Sequence, residues 1–277
     1  MAIYGVLLVF NEQYRASSIK AFNQFMGNLG EVNKIIIVNN KHDAANIGEV
    51  SGDNTNWEFS GWDKGLSTLN IKDDDVVVFA NDTFLCNRSW GRFDQLRFNR
   101  SIKKLIGGDD WGICGEVHKF TGVFQLFGQR SDRWVCTYLF ALSGGVINEL
   151  KNICLSETSL SMAIITVENR KILWGDEVSQ NLQERLQRWL YPPRGVLGWK
   201  KENCSTDTVL IRKAKTILNE KWLSAYCLSN GFIIIDAGPN IAVKQYRNMK
   251  YRMSEVIKRI RLFFLRIADR RNTKKFD

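Results

Sequence analysis

Apolar residues in the first third of the chain come in short runs set off by polar punctuation. Val6–Phe10, Lys34–Val38 and Asp75–Phe79 are compact, β-branched-rich runs bounded by polar residues, the pattern of parallel strands buried on both faces. Between the first two, Ala16–Asn28 carries Ile19, Phe22 and Phe25–Met26 on one helical face. The alternation of strand and helix predicts a doubly wound α/β layer.

Beyond Gly107-Gly108 the rhythm changes. Trp111–Val117, Gly122–Gly128 and Arg133–Leu142 read as strands without helices between them, so a mixed or antiparallel portion is expected. Ser143-Gly144-Gly145 opens a short helix to Leu150. Asp176–Leu190 is a helix on the stripe Val178, Leu182, Leu186 and Trp189–Leu190, stopped by Pro192-Pro193. A helix around Thr208–Tyr226 and a strand Phe232–Ile235 follow. The expected divisions are 1–110, 111–240 in the same domain, and a tail over 241–277, with no internal repeat.

The chain has 277 residues with an ordinary apolar and charged content, enough for one large domain with a sizeable core. No apolar run approaches the ~20 residues needed to cross a bilayer. The opening run lacks a basic leader and a small-residue cleavage site, so it reads as a strand rather than a signal peptide. Six cysteines show no CxxC pair, which suits reduced thiols in a cytosolic protein. Two histidines, His42 and His118, are too few for a histidine-rich metal site.

Charge divides the molecule unevenly. Residues 241–277 hold 12 Lys/Arg against Glu255, Asp269 and Asp277, a net +9 of the total +10, and leave the rest near neutral. In that tail Met253, Val256, Ile257, Ile260, Phe263, Phe264 and Ile267 recur at steps of three and four. One reading docks this stripe on the body. The favoured one lays residues 250–271 on an anionic membrane surface, each basic residue worth roughly 1 kcal/mol there. Nucleic acid is disfavoured, because Phe263 and Phe264 lie on the apolar side, away from the arginines.

Ligands of open α/β sheets bind beyond the carboxyl ends of the strands. Three polar clusters fall there: Asn11-Glu12, Asn39-Asn40 and Asn81-Asp82-Thr83. Each alone fits a turn; converging on one edge, they point to a nucleotide site. In Asn56–Gly65, Ser60 and Asp63 stand at capping-box spacing, which predicts a helix N-terminus suited to a diphosphate.

In their order and spacing these motifs resemble a GT-A-type glycosyltransferase, in particular bacterial inverting enzymes of the family-2 and rhamnosyltransferase kind, over roughly residues 3–190. The resemblance implies a GT-A-like nucleotide-sugar-binding half (1–110), a mixed acceptor-binding half (111–240) and the basic amphipathic tail. Phe10, Asn11, Glu12, Asn39 and Asn40 would line the nucleoside pocket. Asp63 would stand near the sugar-nucleotide, with Gly65 allowing close backbone approach, and Asn81 would sit beside them. Asp82 would match the last carboxylate of the family's DxD motif, holding Mg²⁺ or Mn²⁺ against the diphosphate, although Ala80 stands where the first carboxylate belongs. Trp174-Gly175-Asp176-Glu177-Val178 looks like the family's acidic pair at a helix start, with Glu177 as general base and Asp176 its neighbour.

The implied function is transfer of a hexose or deoxyhexose from a nucleotide sugar to a lipid-linked glycan of bacterial O-antigen or capsule, at the cytoplasmic face of the cell membrane. Two alternatives stand beside it. A sugar-phosphate nucleotidyltransferase would carry a glycine-rich loop after the first strand, and Asn11–Arg15 has no glycine. A non-enzymatic membrane- or nucleic-acid-binding protein would act through the tail alone. His118 and Glu116 could each contact the diphosphate or acceptor, but a satisfied loop residue is the favoured reading of His118; Trp134, Tyr138 and Phe140 alternate along one strand face, with core packing favoured over sugar stacking. Cys136 has no histidine partner nearby in sequence, so a cysteine nucleophile is disfavoured.

Overall fold

Strand β1 (Ile3–Val9) is buried at every position, as a strand with both faces covered must be. In this computed structural model, which describes residues 1–41, 48–86, 90–168, 171–192, 198–199 and 206–239, β1 lies near the middle of a seven-stranded sheet. It pairs in parallel with β2 (Val32–Asn39) on one side and β4 (Val76–Asn81) on the other, and the two-residue β3 (Val50–Ser51) extends β2. Beyond β4 comes β6 (Gln129–Ser143), antiparallel to it, then β5 (Gly112–Leu126), then β9 (Ile233–Asp236) parallel to β5. Six strands therefore share one direction and β6 alone opposes them. The chain is α/β, with the parallel half expected from the first run of motifs and the mixed half expected after Gly108.

Helices cover both faces. On one, α1 (Glu12–Gly27) and α3 (Arg92–Ile106) bring Phe22, Phe25, Met26, Phe98 and Ile102 against Leu7, Val9, Val78 and Ala80. On the other, α2 (Glu58–Leu66), α4 (Gly144–Leu150) and α7 (Asp207–Ser229) meet Val6, Leu8, Val77, Phe79 and Phe140. At the centre of the second layer Trp62 is fully buried. Its indole N–H donates to the Ala80 carbonyl (3.1 Å), and Phe59 and Phe140 stand edge-on to it with ring centres at 5.1 Å. Burying the indole thus leaves no polar atom unpaired.

Several elements differ from expectation. Helix α3 has no counterpart in the expected set, although Phe98, Ile102 and Leu105 share its buried face. The two strands expected at Trp111–Val117 and Gly122–Gly128 are one strand, β5, irregular between Lys119 and Phe124. It turns into β6 through Phe127 (φ +49°) and Gly128 (φ +74°), the two positive angles of a tight hairpin turn. Ser60 and Asp63 do not cap α2, because the helix starts at Glu58 and both lie inside it. Trp134, Tyr138 and Phe140 do not share one face: β6 is displaced between Cys136, opposite Glu116, and Phe140, opposite Gly115. Phe140 stacks on Phe79 at 4.8 Å in the core, while Trp134 and Tyr138 turn elsewhere.

All described residues but Pro239 fall within one compact unit, Met1–Gly238, and residues of both expected halves, 1–110 and 111–240, contribute to a single sheet. The tail 241–277, with its stripe, lies outside the described residues. Among the described residues no helix is long and apolar enough to cross a membrane.

Gly65 shows what the helix-to-sheet spacing requires. A Cβ there would stand 2.5 Å from Val6 Cγ1 and 3.0 Å from Val38 Cγ2. The glycine lets α2 lie close on β1 and β2, and it faces the sheet rather than a ligand, correcting its expected place beside the sugar-nucleotide. Gly65→Ala is expected to cost about 1–3 kcal/mol through overpacking, read as a lowered midpoint in urea denaturation.

Candidate functional site

The carboxyl ends of β1, β2 and β4 form a level rim: Asn39 is opposite Val9 and Asn81 is opposite Leu8. The strand order reverses between β1 and β4, the place where such sheets open a crevice. Asp82 spans it. Its Oδ2 accepts from the amides of Phe10 (2.8 Å) and Asn11 (2.5 Å), and the Asn11 side-chain amide reaches both of its oxygens at 3.3 Å. The carboxylate thus ties the end of β1 to the end of β4 and sits at the N-terminus of α1, where negative charge is stabilised.

This placement bears on the expected metal. Asp82 is 2% exposed with both oxygens engaged, and the Asn81 side-chain carbonyl is taken up by the amide and hydroxyl of Thr83. Among the described residues no three His, Cys, Asp or Glu side chains group as a metal site. A hard divalent cation needs several free oxygens at about 2.0–2.6 Å, and this donor set does not fit it.

The other rim residues divide by what they already hold. Asn40 is consumed by the loop above it: its amide donates to Asn54 Oδ1 (3.1 Å) and the Trp57 carbonyl (2.8 Å), and its Oδ1 accepts from the Asn54 amide (3.0 Å). It shapes the rim and offers nothing further. Asn39 accepts from the Lys41 amide (3.2 Å), and its side-chain NH₂ makes no hydrogen bond among the described residues. Phe10 is an exposed aromatic at the end of β1, and Glu12 is exposed in the first turn of α1.

Asp63 stands apart from this rim. Its two oxygens accept from the Ile153 amide (2.9 Å) and the Cys154 amide (3.0 Å), fastening α2 to the segment after α4. Burial pushes its carboxyl up to about 6, against the two amide bonds that favour the charged form. Its role is structural, which corrects its assignment to the donor.

Asp176 and Glu177 are also displaced from expectation. Helix α6 (Gln180–Leu190) begins after them, with Ser179 as its N-cap. The segment before it is stitched to the tip of the β5–β6 hairpin: the Phe127 amide donates to the Glu177 carbonyl (3.0 Å), and Ser179 and Gln125 exchange bonds of 2.9 Å. Gly175 is required for packing, because a Cβ there would stand 1.8 Å from the Met162 carbonyl. The acidic pair sits on the hairpin's far end rather than at a helix start.

Beside the rim lies a cavity of about 450 Å³. Asn81, Thr83 and Glu58 form its rim side; His118, Phe120, Trp134, Thr137 and Tyr138 on β5 and β6 form its wall. Helices α6 and α7 close it with Arg185, Trp189, Lys213, Glu220 and Lys221. Of the site residues expected from the sequence, Asn81 alone lines it; neither Asp176 nor Glu177 does. The displacement in β6 is what turns Thr137 and Tyr138 into it, a common use of bulges beside functional sites.

The cavity is cationic and aromatic. The Lys221 ammonium lies 2.5 Å from Glu220 and 3.9 Å from the centre of the Trp134 ring. Arg185 stands over Phe120 and Trp134 at 5.6 and 6.0 Å, and Lys213 over Trp57 and Trp189 at 5.4 and 5.8 Å. Neither Arg185 nor Lys213 has a carboxylate within ion-pairing distance among the described residues. Glu220 also accepts from the amide (3.1 Å) and hydroxyl (3.2 Å) of Thr137. Burial raises its carboxyl, but Lys221 and these bonds outweigh that and hold it below the usual range.

The residues on α7 left a trace in the sequence. Lys213, Thr216–Ile217 and Glu220–Lys221 recur at three- and four-residue steps, a polar stripe on a helix otherwise well buried. Arg185 and Trp189 repeat at the same spacing on α6. No family model matches the chain, and no curated protein shows significant similarity to it.

Glu220→Ala strands the Lys221 ammonium in a buried setting and is expected to cost about 3–5 kcal/mol, measured by urea denaturation. Replacing both residues by methionine should cost less than Glu220→Ala alone. Asp63 gives a pH signature. Between its unfolded value of 3.8 and its folded value of about 6 the native state holds a proton that the unfolded chain has lost, so stability falls as pH rises through that window. Relative to Asp63→Asn, the wild type is expected to lose up to about 3 kcal/mol from pH 4 to pH 7, seen in denaturation curves at each pH.

Proposed function

We propose that the protein is an inverting glycosyltransferase that takes a sugar from a nucleotide donor at the rim and delivers it to a glycan acceptor in the adjoining cavity. One observation carries the reading. The strand-end rim bears an exposed aromatic, Phe10, and Asn39, whose side-chain NH₂ has no partner among the described residues, and Asn81 of the same rim lines a cavity walled by aromatic, cationic, imidazole and carboxylate side chains. Its support is the combination of a nucleotide-type sheet edge with a second, sugar-sized compartment beside it. The GT-A-like assignment rests on the resemblance of the ordered motifs.

In this reading the nucleobase stacks on Phe10 and Asn39 supplies hydrogen bonds to the nucleoside. The diphosphate passes Asn81 toward the cavity. An acceptor hydroxyl attacks the anomeric carbon from the face opposite the departing diphosphate, and the two positioned compartments hold the reactants in line. Since the groups around Asp82 do not fit a divalent cation, the charge on the leaving diphosphate is met by protein cations of the cavity, Lys213 and Arg185, which have no carboxylate partner among the described residues. Trp189, an exposed aromatic in the cavity lining, offers a flat apolar face for a sugar ring. A lipid-linked acceptor in bacterial surface-polysaccharide synthesis, reached from the cytoplasmic face with residues 250–271 on anionic lipid, completes the proposal and is motivated by the net +9 of the tail.

Thermal-shift titration with UDP, GDP, dTDP and CMP tests the donor site. At least one nucleotide is expected to raise the melting temperature without added metal, and Asn39→Ala to weaken it about five- to tenfold, the worth of one hydrogen bond. Glu177→Gln, away from the cavity, should leave transfer unchanged. Absence of binding by any of the four, with or without Mn²⁺, overturns the reading.

A further inference from the structure

Glu116 is a carboxylate on β5 that is 6% exposed and held on both oxygens. The Tyr138 hydroxyl donates to Oε2 at 2.7 Å, and His118 Nε2 lies 3.2 Å from Oε1. The His118 ring stacks beside Trp134, with centres at 5.6 Å and planes at 29°, and it lines the cavity. A neutral imidazole that donates from Nε2 to this carboxylate keeps its lone pair on Nδ1. Among the described residues Nδ1 makes no hydrogen bond, and the side chain is 34% exposed, which gives a bound proton a route to water.

We propose that Glu116 and His118 form a carboxylate–imidazole dyad in which His118 takes the proton from the attacking acceptor hydroxyl. The inference rests on the glycosyltransferase reading and deepens it. In the step, the acceptor oxygen bonds to the anomeric carbon while the bond from that carbon to the diphosphate oxygen breaks, its electron pair leaving on the diphosphate. The hydroxyl proton passes to Nδ1. Glu116 offsets the charge of the imidazolium and fixes the ring, and Tyr138 fixes Glu116; both are positioning residues. Glu220, a carboxylate that lines the cavity itself, is occupied by Lys221 and Thr137.

Among the described residues Glu116 on its own strand touches the ring, and the charged and titratable groups that line the same cavity include Tyr138 and Cys136 on β6 and Arg185 on α6. Lys213, Glu220 and Lys221 on α7 and Glu58 at the start of α2 complete the set.

Two measurements on the full chain test the dyad. Nitrogen-15 correlation spectra resolve only two imidazoles, and His118→Gln assigns them. His118 is expected as the neutral Nε2–H tautomer, with that preference lost in Glu116→Gln; an Nδ1–H tautomer in the wild type overturns the dyad. With the nucleotide sugar found by thermal shift, His118→Gln should lower kcat about 10²- to 10⁴-fold and abolish the acidic limb of the kcat/KM–pH profile. Its melting temperature and nucleotide affinity should stay at wild-type values. If His118→Gln keeps the rate and the limb while Glu58→Gln loses them, the dyad is wrong and the transferase reading stands. If no nucleotide binds the wild type, both fall.

Discussion

Strand β4 has six residues to offer as a partner and β6 has fifteen, so most of β6, and of β5 beside it, must find its hydrogen bonds and its burial beyond the sheet. The two long strands solve the first need by pairing with each other as a hairpin. The second need is met by a separate apolar cluster in which Phe120, Phe124, Leu126 and Trp134 pack with residues of α5 (Glu157–Ala163), the β7–β8 ribbon (Ile164–Glu168 and Lys171–Trp174), α6 and α7. Everything outside the basic three-layer sandwich follows from that overhang. A hairpin leaving the sheet at its carboxyl rim makes a wall, and the helices that cover it enclose a space next to the place where the strand order reverses.

The space is polar because β6 is out of step with β5 there. Were the pairing regular from Cys136 to Phe140, apolar side chains would continue along the wall as they do deeper in the sheet. The displaced residues Thr137 and Tyr138 instead present hydroxyls, and those hydroxyls are spent on Glu220 and Glu116. Two carboxylates, Glu116 buried and Glu220 half-buried, are thereby held by partners that offset their desolvation. One of them fixes an ammonium against Trp134; the other fixes an imidazole against the same ring. A fixed imidazole and cations over aromatic faces suit transfer chemistry, where groups must be in position before the reaction begins.

Much of the fold was legible because burial on two faces leaves an unmistakable trace. Val6–Phe10, Lys34–Val38 and Asp75–Phe79 could be read as strands, since no other element needs so short and so apolar a run. The rim clusters could be placed as well, because polar residues after such a run lie beyond the sheet. Their roles could not. Asn39 and Asn40 are adjacent and identical, yet among the described residues one has its side-chain nitrogen without a partner and the other is spent on Asn54 and Trp57. Asp63 and Asp82 look like ligand-binding acids in sequence, and each is bound to backbone amides distant in the chain.

By itself the sequence determined the periodicity of each element, the α/β class, the position of the rim and the asymmetry of charge, all of which depend on residues close in the chain. Only the tertiary structure decided which polar groups meet. His118 shares a cavity with Lys221 and Arg185 because a hairpin on one side of the rim is covered by two helices contributed some 60 to 100 residues later. It also moved Glu177 from an expected helix start to the hairpin's tip, since its backbone pairs with Phe127 before α6 begins. Hydrogen bonds between distant backbone segments are set by the register of packed elements, and no local pattern of residue types encodes that register.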